Sequence, residues 1–295
     1  MTKDLCDCFQ QHLATEVALT GPQLEDALRL RYRVYCEETG FEDPDQFPEG
    51  LERDHYDAHS LQMLVRHRPT GMAVGAVRLI MPCWWESSWS FPFETVCTHA
   101  GEGPLDQPID GPRHDTAEVS RFAVSRNALA AIQQRDADRW EGPVQSCDDP
   151  RRPPQLVALG LIALLFGVSA EYAINRWYAM MEASLARHLS KLGIDFQRIG
   201  PAVEHRGKRY PMMARVDELL ASIATRNPAF GALISEVRES VLAQGIAASD
   251  LQPSAHPLWT AAGAWQPGGP FITPPRWREE PRIVGSAFSP TAASA

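Results

Sequence analysis

Leu24, Ala27, Leu28, Arg31 and Tyr35 recur at helical spacing through LEDALRLRYRVYC, and Thr39 with Gly40 supplies a stop. This predicts a first helix over residues 24–36 with arginines at its end. A Pro- and Asp-rich loop, FEDPDQFPEG, follows. Apolar runs at about 60–66 and in MAVGAVRLIM, separated by RPTG, read as a β-hairpin. TAEVSRFAVS, residues 116–125, alternates and is rich in β-branched and aromatic side chains, as a third long strand requires. The segment between hairpin and third strand is expected to be irregular with one short helix. Residues 126–154 read as an Asp-, Arg- and Pro-rich loop leading into an apolar helix at about 155–174. Then come a strand RWYAMM, a helix EASLARHLSKLG ending on Gly193, short strands around DFQRIG and KRYPMMARV, and one or two polar-faced helices over 215–245.

The most hydrophobic run, LVALGLIALLFGVSA, is shorter than the roughly 18–20 residues of a membrane span. It is expected to be a helix buried on most sides, and it lacks the polar face of an amphipathic anchor until Glu171. From Asp250 the chain turns to Pro, Gly, Ser and Ala, which bury too little surface to offset ordering entropy, so residues 250–295 are expected to form a disordered tail. Within it Trp259, Trp265 and Trp277 suit either a docking motif or loose packing on the domain.

With 295 residues and 44% hydrophobic content the chain can fill the core of one large domain or two small ones. A formal charge of −9 argues against broad nucleic-acid binding, so any site for an acidic partner must be a local basic face. MTKDLCDCFQ lacks the pattern of a secretory signal, and a cytoplasmic location is expected. Cys6, Cys8, Cys36, Cys83, Cys97 and Cys147 have no paired spacing and are expected as free thiols. No metal site is expected, because His55 and His59 fall at a loop-to-strand junction where they need not share a face.

GLERDHYDAHSLQMLVRH packs Glu52, Arg53, Asp54, His55 and Asp57 directly before the first hairpin strand. Alone, such a run reads as solvated surface. Together, RYRVYCEETGF, ERDHYD, VRLI and AEVSRFAV resemble, in order and spacing, the motif series of autoinducer (acyl-homoserine-lactone) synthases and N-acyl amino acid synthases. The closest resemblance is to the acyltransferase family associated with PEP-CTERM/exosortase systems, over roughly residues 20–215. The resemblance implies an α/β (α+β) GNAT acyltransferase fold, a mixed central sheet flanked by helices. The expected organisation is a catalytic domain over 1–215, a helical extension over 216–249 and the tail.

Carried over by position, Arg31, Tyr35 and Phe41 match the family's Arg and aromatics, and Asp54 with Asp57 its acidic pair. Arg78 matches the Arg of the second strand, and Glu118 with Arg121 the Glu-x-x-Arg of the central strand. The acidic pair is implied to meet Arg31, Arg78 or Arg121 as a charged wall beside the transfer cleft, the opposite charges holding the carboxylates ionised. A purely structural ion-pair network anchoring the loop is the competing reading for Asp57. Glu118 is implied as the base that takes the amine proton, directly or through a water, and backbone amides near Phe122 to Val124 as the groups facing the thioester. Arg121 either holds an acceptor carboxylate or pairs with Asp54.

Amide formation from a thioester needs no nucleophilic Ser or Cys, and the chain has no Gly-x-Ser-x-Gly. After the central strand it also lacks the Gly-rich loop that cradles coenzyme A pyrophosphate in this fold. The expected donor is therefore an acyl chain on acyl carrier protein, with no bound cofactor. Arg126, Arg151 and Arg152 are candidates for docking that acidic partner, with Lys191, Arg206, Lys208 and Arg209 as further cations. The apolar stretch 156–166, with Trp177 and Met180, suits an acyl tunnel or plain core packing. Phe41 stands where autoinducer synthases carry Trp, which weighs against S-adenosylmethionine as acceptor. The sequence thus points to an N-acyltransferase acting on a small amine such as an amino acid; the alternatives are acyl-homoserine-lactone synthesis and a non-catalytic acyl-binding protein.

Overall fold

The computed structural model describes residues 5–82, 90–99, 113–135 and 152–244. Arg151, Cys83, Cys147 and the predicted tail with its tryptophans lie outside them. Helix α1 (Leu5–His12) and strand β1 (Leu13–Val17) precede the first predicted helix. Pattern reading passes over β1 because it is short, and its place is set by pairing: Leu13 lies opposite His67 and Val17 opposite Met63.

Helix α2 (Gly21–Tyr32) starts where Gln23 accepts from the Thr20 amide and Pro22 occupies the first turn. The expected helix to residue 36 is α-helical only to Tyr32; Arg33–Glu38 is a wider π-helical turn closed by the Thr39 amide on the Val34 carbonyl. Its side chains account for the change. Tyr35 donates to the Phe122 carbonyl, and Glu38 accepts from Ser125 and the amides of Arg126 and Asn127. These partners are distant in sequence, so no local pattern announces them.

The hairpin forms as β2 (Ser60–His67) and β3 (Ala73–Ile80), followed by short helix α3 (Pro92–His99) and β4 (Thr116–Val124). After β4 the expected loop is corrected: Arg126–Arg135 is a helix, α4. ALAAIQQ is a good helix former, and the Glu38 carboxylate with the Ser125 hydroxyl caps its first amides. The remaining elements are α5 (Pro153–Glu171), β5 (Arg176–Met181), α6 (Ala183–Lys191), β6 (Gln197–Arg198), β7 (Val203–Glu204), β8 (Lys208–Arg215), α7 (Val216–Arg226) and α8 (Pro228–Ala243).

Strand order is β1-β2-β3-β4-β5-β8-β6, with β7 paired to β8; β4 and β5 run parallel and the other pairs antiparallel. On one face α5 packs against Val65, Val77, Leu79 and Ala117, with α8 beyond it. By length and composition α5 could cross a membrane, but 78% of its most apolar window is buried inside the protein. That burial is the expected core role.

Gly75 in β3 allows the close approach of α5: a Cβ there would meet Val157 Cγ1 at 2.5 Å and Leu161 Cδ1 at 3.1 Å. Gly75→Ala is expected to lower stability by about 1–3 kcal/mol through overpacking. A lower urea midpoint at unchanged slope would register it; an unchanged midpoint would mean that α5 yields freely.

Candidate active site

The other face of the sheet carries a polar strip, Gln62, Arg78, Glu118 and Ser120, between the apolar clusters around Leu64 and Ala76 and around Ile80 and Tyr178. In a regular strand Glu118 and Arg121, three apart, would point to opposite faces. A β-bulge changes this. Arg78 lies opposite Ser120 and Ala76 opposite Ala123, so Arg121 and Phe122 together face Val77, and Arg121 takes φ +50°. Neighbouring Ser120 and Arg121 therefore both reach the polar strip.

There the acidic run closes a ring of alternating charge. Arg31 bonds Glu52 (2.6 Å), Glu52 contacts Arg121 (3.0 Å), and Arg121 contacts Asp54 (3.1 Å). Asp54 bonds Arg78 (2.6 Å), Arg78 bonds Asp57 (2.8 Å), and Asp57 returns to Arg31 (2.6 Å). Burying such charges costs several kcal/mol per ion unless each is paired on well-formed bonds, and here every carboxylate meets two guanidiniums. Burial pushes the Glu52 carboxyl up, but Arg31 and Arg121 overcome it and hold it at about 2. Asp57 is likewise pushed up by burial and held well below the carboxylate range by Arg31 and Arg78.

The two aspartates differ in role. Asp57 is fully enclosed; it accepts from Arg31, Arg78, Gln62 and the Asp54 amide, so its lone pairs are taken by the protein. Asp54 accepts from the Tyr56 amide, and the Asp54/Asp57 spacing is thereby a reciprocal cap on the turn His55–His59. Asp54 remains 25% exposed, the open member of the ring. Arg31 meets Glu52 and Asp57, not Asp54. Arg121 is an ion partner of Glu52, Asp54 and Glu42 and lies 5.6 Å over the Tyr35 ring.

Glu118 stands apart from the ring. It is 3% exposed, and its bond is from the Phe93 amide in the first turn of α3 (3.1 Å). Burial pushes its carboxyl up to about 8, further than the Phe93 amide and the charges of Arg78 and Arg121 can lower it. Glu118 opposite Tyr178 is also the last parallel pair between β4 and β5. Beyond it β4 continues against β3 to Val124, and β5 against β8 to Met181. The sheet forks at Glu118, and Val119, Ala179, Met181, Met212, Leu189 and Phe196 cluster beside the fork.

Among the other expected residues, Phe122 and Val124 pack their side chains on the α5 side, and Phe41 is 42% exposed beneath Arg209. Arg126 begins α4 with an exposed side chain, and Arg152 stands at the N-cap position of α5 without a side-chain capping bond. Leu156, Leu161, Leu164 and Trp177 are core, and Met180 packs with the Phe91 cluster on the opposite face. Sequence reasoning did not assign Glu52, Glu42, Gln62 or Ser120 to the site. Glu52 lies in the quoted acidic run two residues before Asp54; the others carry no sequence signal. Among the described residues no group of three His, Cys, Asp or Glu side chains is placed to hold a metal.

Residues 30–129 match the family profile described as Acetyltransferase (GNAT) domain. This interval runs from the end of α2 through the hairpin, α3 and β4 to the start of α4, and so holds Arg31, the acidic run, Arg78, Glu118 and Arg121. The architecture is a GNAT-like mixed α/β fold, an eight-stranded sheet with helices on both faces. Several solved structures are similar. TofI in a ternary complex with an inhibitor and MTA is 21% identical, covering 73% of this chain and 98% of its own, with TM-score 0.49. BjaI, a CoA-dependent acyl-homoserine lactone synthase with MTA, is 20% identical over 77% and 89%, with TM-score 0.48. FeeM, an N-acyl amino acid synthase from uncultured soil microbes, is 14% identical over 72% and 96%, with TM-score 0.44. No curated protein matches the chain in sequence.

Proposed function

We propose that the protein is an N-acyltransferase that moves a long-chain acyl group from acyl carrier protein to the amine of an amino acid or similar small molecule. The observation that carries this reading is the placement of Glu118, a buried carboxyl poised at about 8, at the point where β4 and β5 part. In the proposed reaction the pantetheine arm enters the fork and its thioester carbonyl is held by β4 backbone amides near Phe122 to Val124. The amine nitrogen attacks the carbonyl carbon, Glu118 takes the amine proton, the carbon–sulfur bond breaks and the thiolate leaves to be protonated. A base with a value near working pH combines a usable ionised fraction with real proton affinity.

The ring supplies a rigid wall with Asp54 as its open acid. The cluster of Val119, Ala179, Met181 and Phe196 is the proposed start of the acyl path. On the resemblance of its motif series we place the chain in the exosortase-associated group, working in the cytoplasm.

The donor reading gains support from α4. Its first amides, the natural place for an anion, already bind the Glu38 carboxylate at 2.9 and 3.3 Å. A pyrophosphate would have to displace a carboxylate, whereas a carrier protein brings no free pyrophosphate to that spot. Arg126 and Arg152 are the described candidates for its docking. Thiol release should be far more efficient with acyl-carrier protein than with the matching acyl-coenzyme A, and added salt should weaken only the carrier reaction. Equal or better use of acyl-coenzyme A, without a carrier-specific salt effect, would return the enzyme to coenzyme A dependence.

A further inference from the structure

The hairpin of β7 and β8 folds back on the acidic wall. Its turn is His205, Arg206 and Gly207, with Arg206 at φ +51°, a left-handed conformation that disfavours a non-glycine residue. Arg206 bonds Glu42 Oε1 at 2.5 Å, and Arg121 approaches the same oxygen at 3.4 Å. Arg121 also holds Asp54 through the same nitrogen, so Glu42 and Asp54 form one acidic edge.

Arg209 lies next to that edge and is not balanced by it. Its guanidinium stands 6.0 Å over the Phe41 ring, and its Nε is buried without a hydrogen-bond partner among the described residues. His205, in the same turn, is held below its ordinary value by burial and then by the charges of Arg206, Arg209 and Arg121. A buried donor without a partner carries an uncompensated desolvation cost, which an anion bonded to that guanidinium offsets. The candidate basic face for a carrier protein thus loses Arg206, which is tied to Glu42, while Arg209 turns toward the site.

We infer that Arg209, seated on Phe41 and flanked by Arg206, receives the carboxylate of an α-amino-acid acceptor whose amino end meets the acidic edge of Glu42 and Asp54. The juxtaposition of a cationic and an acidic edge suits a zwitterion. The phosphate of a pantetheine arm carries no positive charge to set against Glu42, so it fits less well. This inference rests on the reading that the protein acylates small amines, and it makes Arg209 a specificity-determining residue.

The test compares the standard α-amino acids with their α-amides in two assays, transfer from acyl carrier protein loaded with long-chain acyl groups, and calorimetric binding without donor. Wild-type protein should favour the acid over its amide by about 10- to 100-fold in kcat/KM, the range of a charge-assisted contact. Arg209→Gln should bring that ratio close to one, and Arg209→Lys, which keeps the charge, should retain part of it; melting curves check that both variants fold. Binding that favours acids and is lost in Arg209→Gln, without transfer to any amine, would uphold the carboxylate site and reject the transferase reading. Transfer with equal use of acids and amides, or a preference that survives Arg209→Gln, would overturn the inference and leave the transferase reading standing. Neither binding nor transfer with any of these compounds would overturn both.

Discussion

Glu118→Gln is expected to lower turnover by about 100-fold or more while leaving the fold intact, because glutamine keeps the size and the acceptor for the Phe93 amide but cannot take a proton. In the wild type, kcat/KM should rise with pH and level off above about 8, where Glu118 is ionised. The variant should lose that limb. Stability should move the other way. The native carboxyl keeps its proton up to about 8, whereas the unfolded chain releases it near the ordinary value of 4.5. Between those values the native state binds more protons, so this contribution is fully present below the unfolded value and is lost as pH rises through 8. Glu118→Gln should therefore be more stable than wild type at alkaline pH, by an amount on the order of a few kcal/mol. Unchanged turnover would place the base elsewhere.

Arg31→Ala is expected to destabilise the protein by about 3–5 kcal/mol, the usual cost of removing one partner from a buried ion network. Arg31 is fully buried and joins Glu52 to Asp57; without it each carboxylate keeps one arginine and remains out of water. Chemical denaturation at neutral pH reads the loss. Pairing Arg31→Ala with Asp57→Asn should give a loss well short of the sum of the single losses, because the two share bonds at 2.6 and 3.1 Å. A strictly additive result would mean that the ring acts as a background field rather than through contacts.

The ring and the fork differ in how far the sequence revealed them. Arg31, Asp54, Asp57, Arg78 and Arg121 are legible through the resemblance of their motifs to the family's, and the hairpin, β4 and α5 through hydrophobic pattern, since burial imposes those periods directly. The bulge at Arg121 could not be read, because it exists only in the register between β3 and β4. The same holds for the π-helical turn and for α4. Tyr35 and Glu38 bend the chain toward Phe122, Ser125 and Arg126, nearly ninety residues away in sequence. Arg206 and Arg209 read as surface cations until the hairpin turn places them beside Glu42 and Phe41.

Transfer of an acyl group to a small amine at the fork is tested most directly by mass spectrometry on purified protein incubated with acyl carrier protein loaded with a long-chain acyl group and a mixture of amino acids. An N-acyl amino acid and free carrier thiol should form in equal amounts, with Glu118→Gln depressing both together. An intact acyl-carrier protein, or thiol release that yields only free fatty acid, would contradict it.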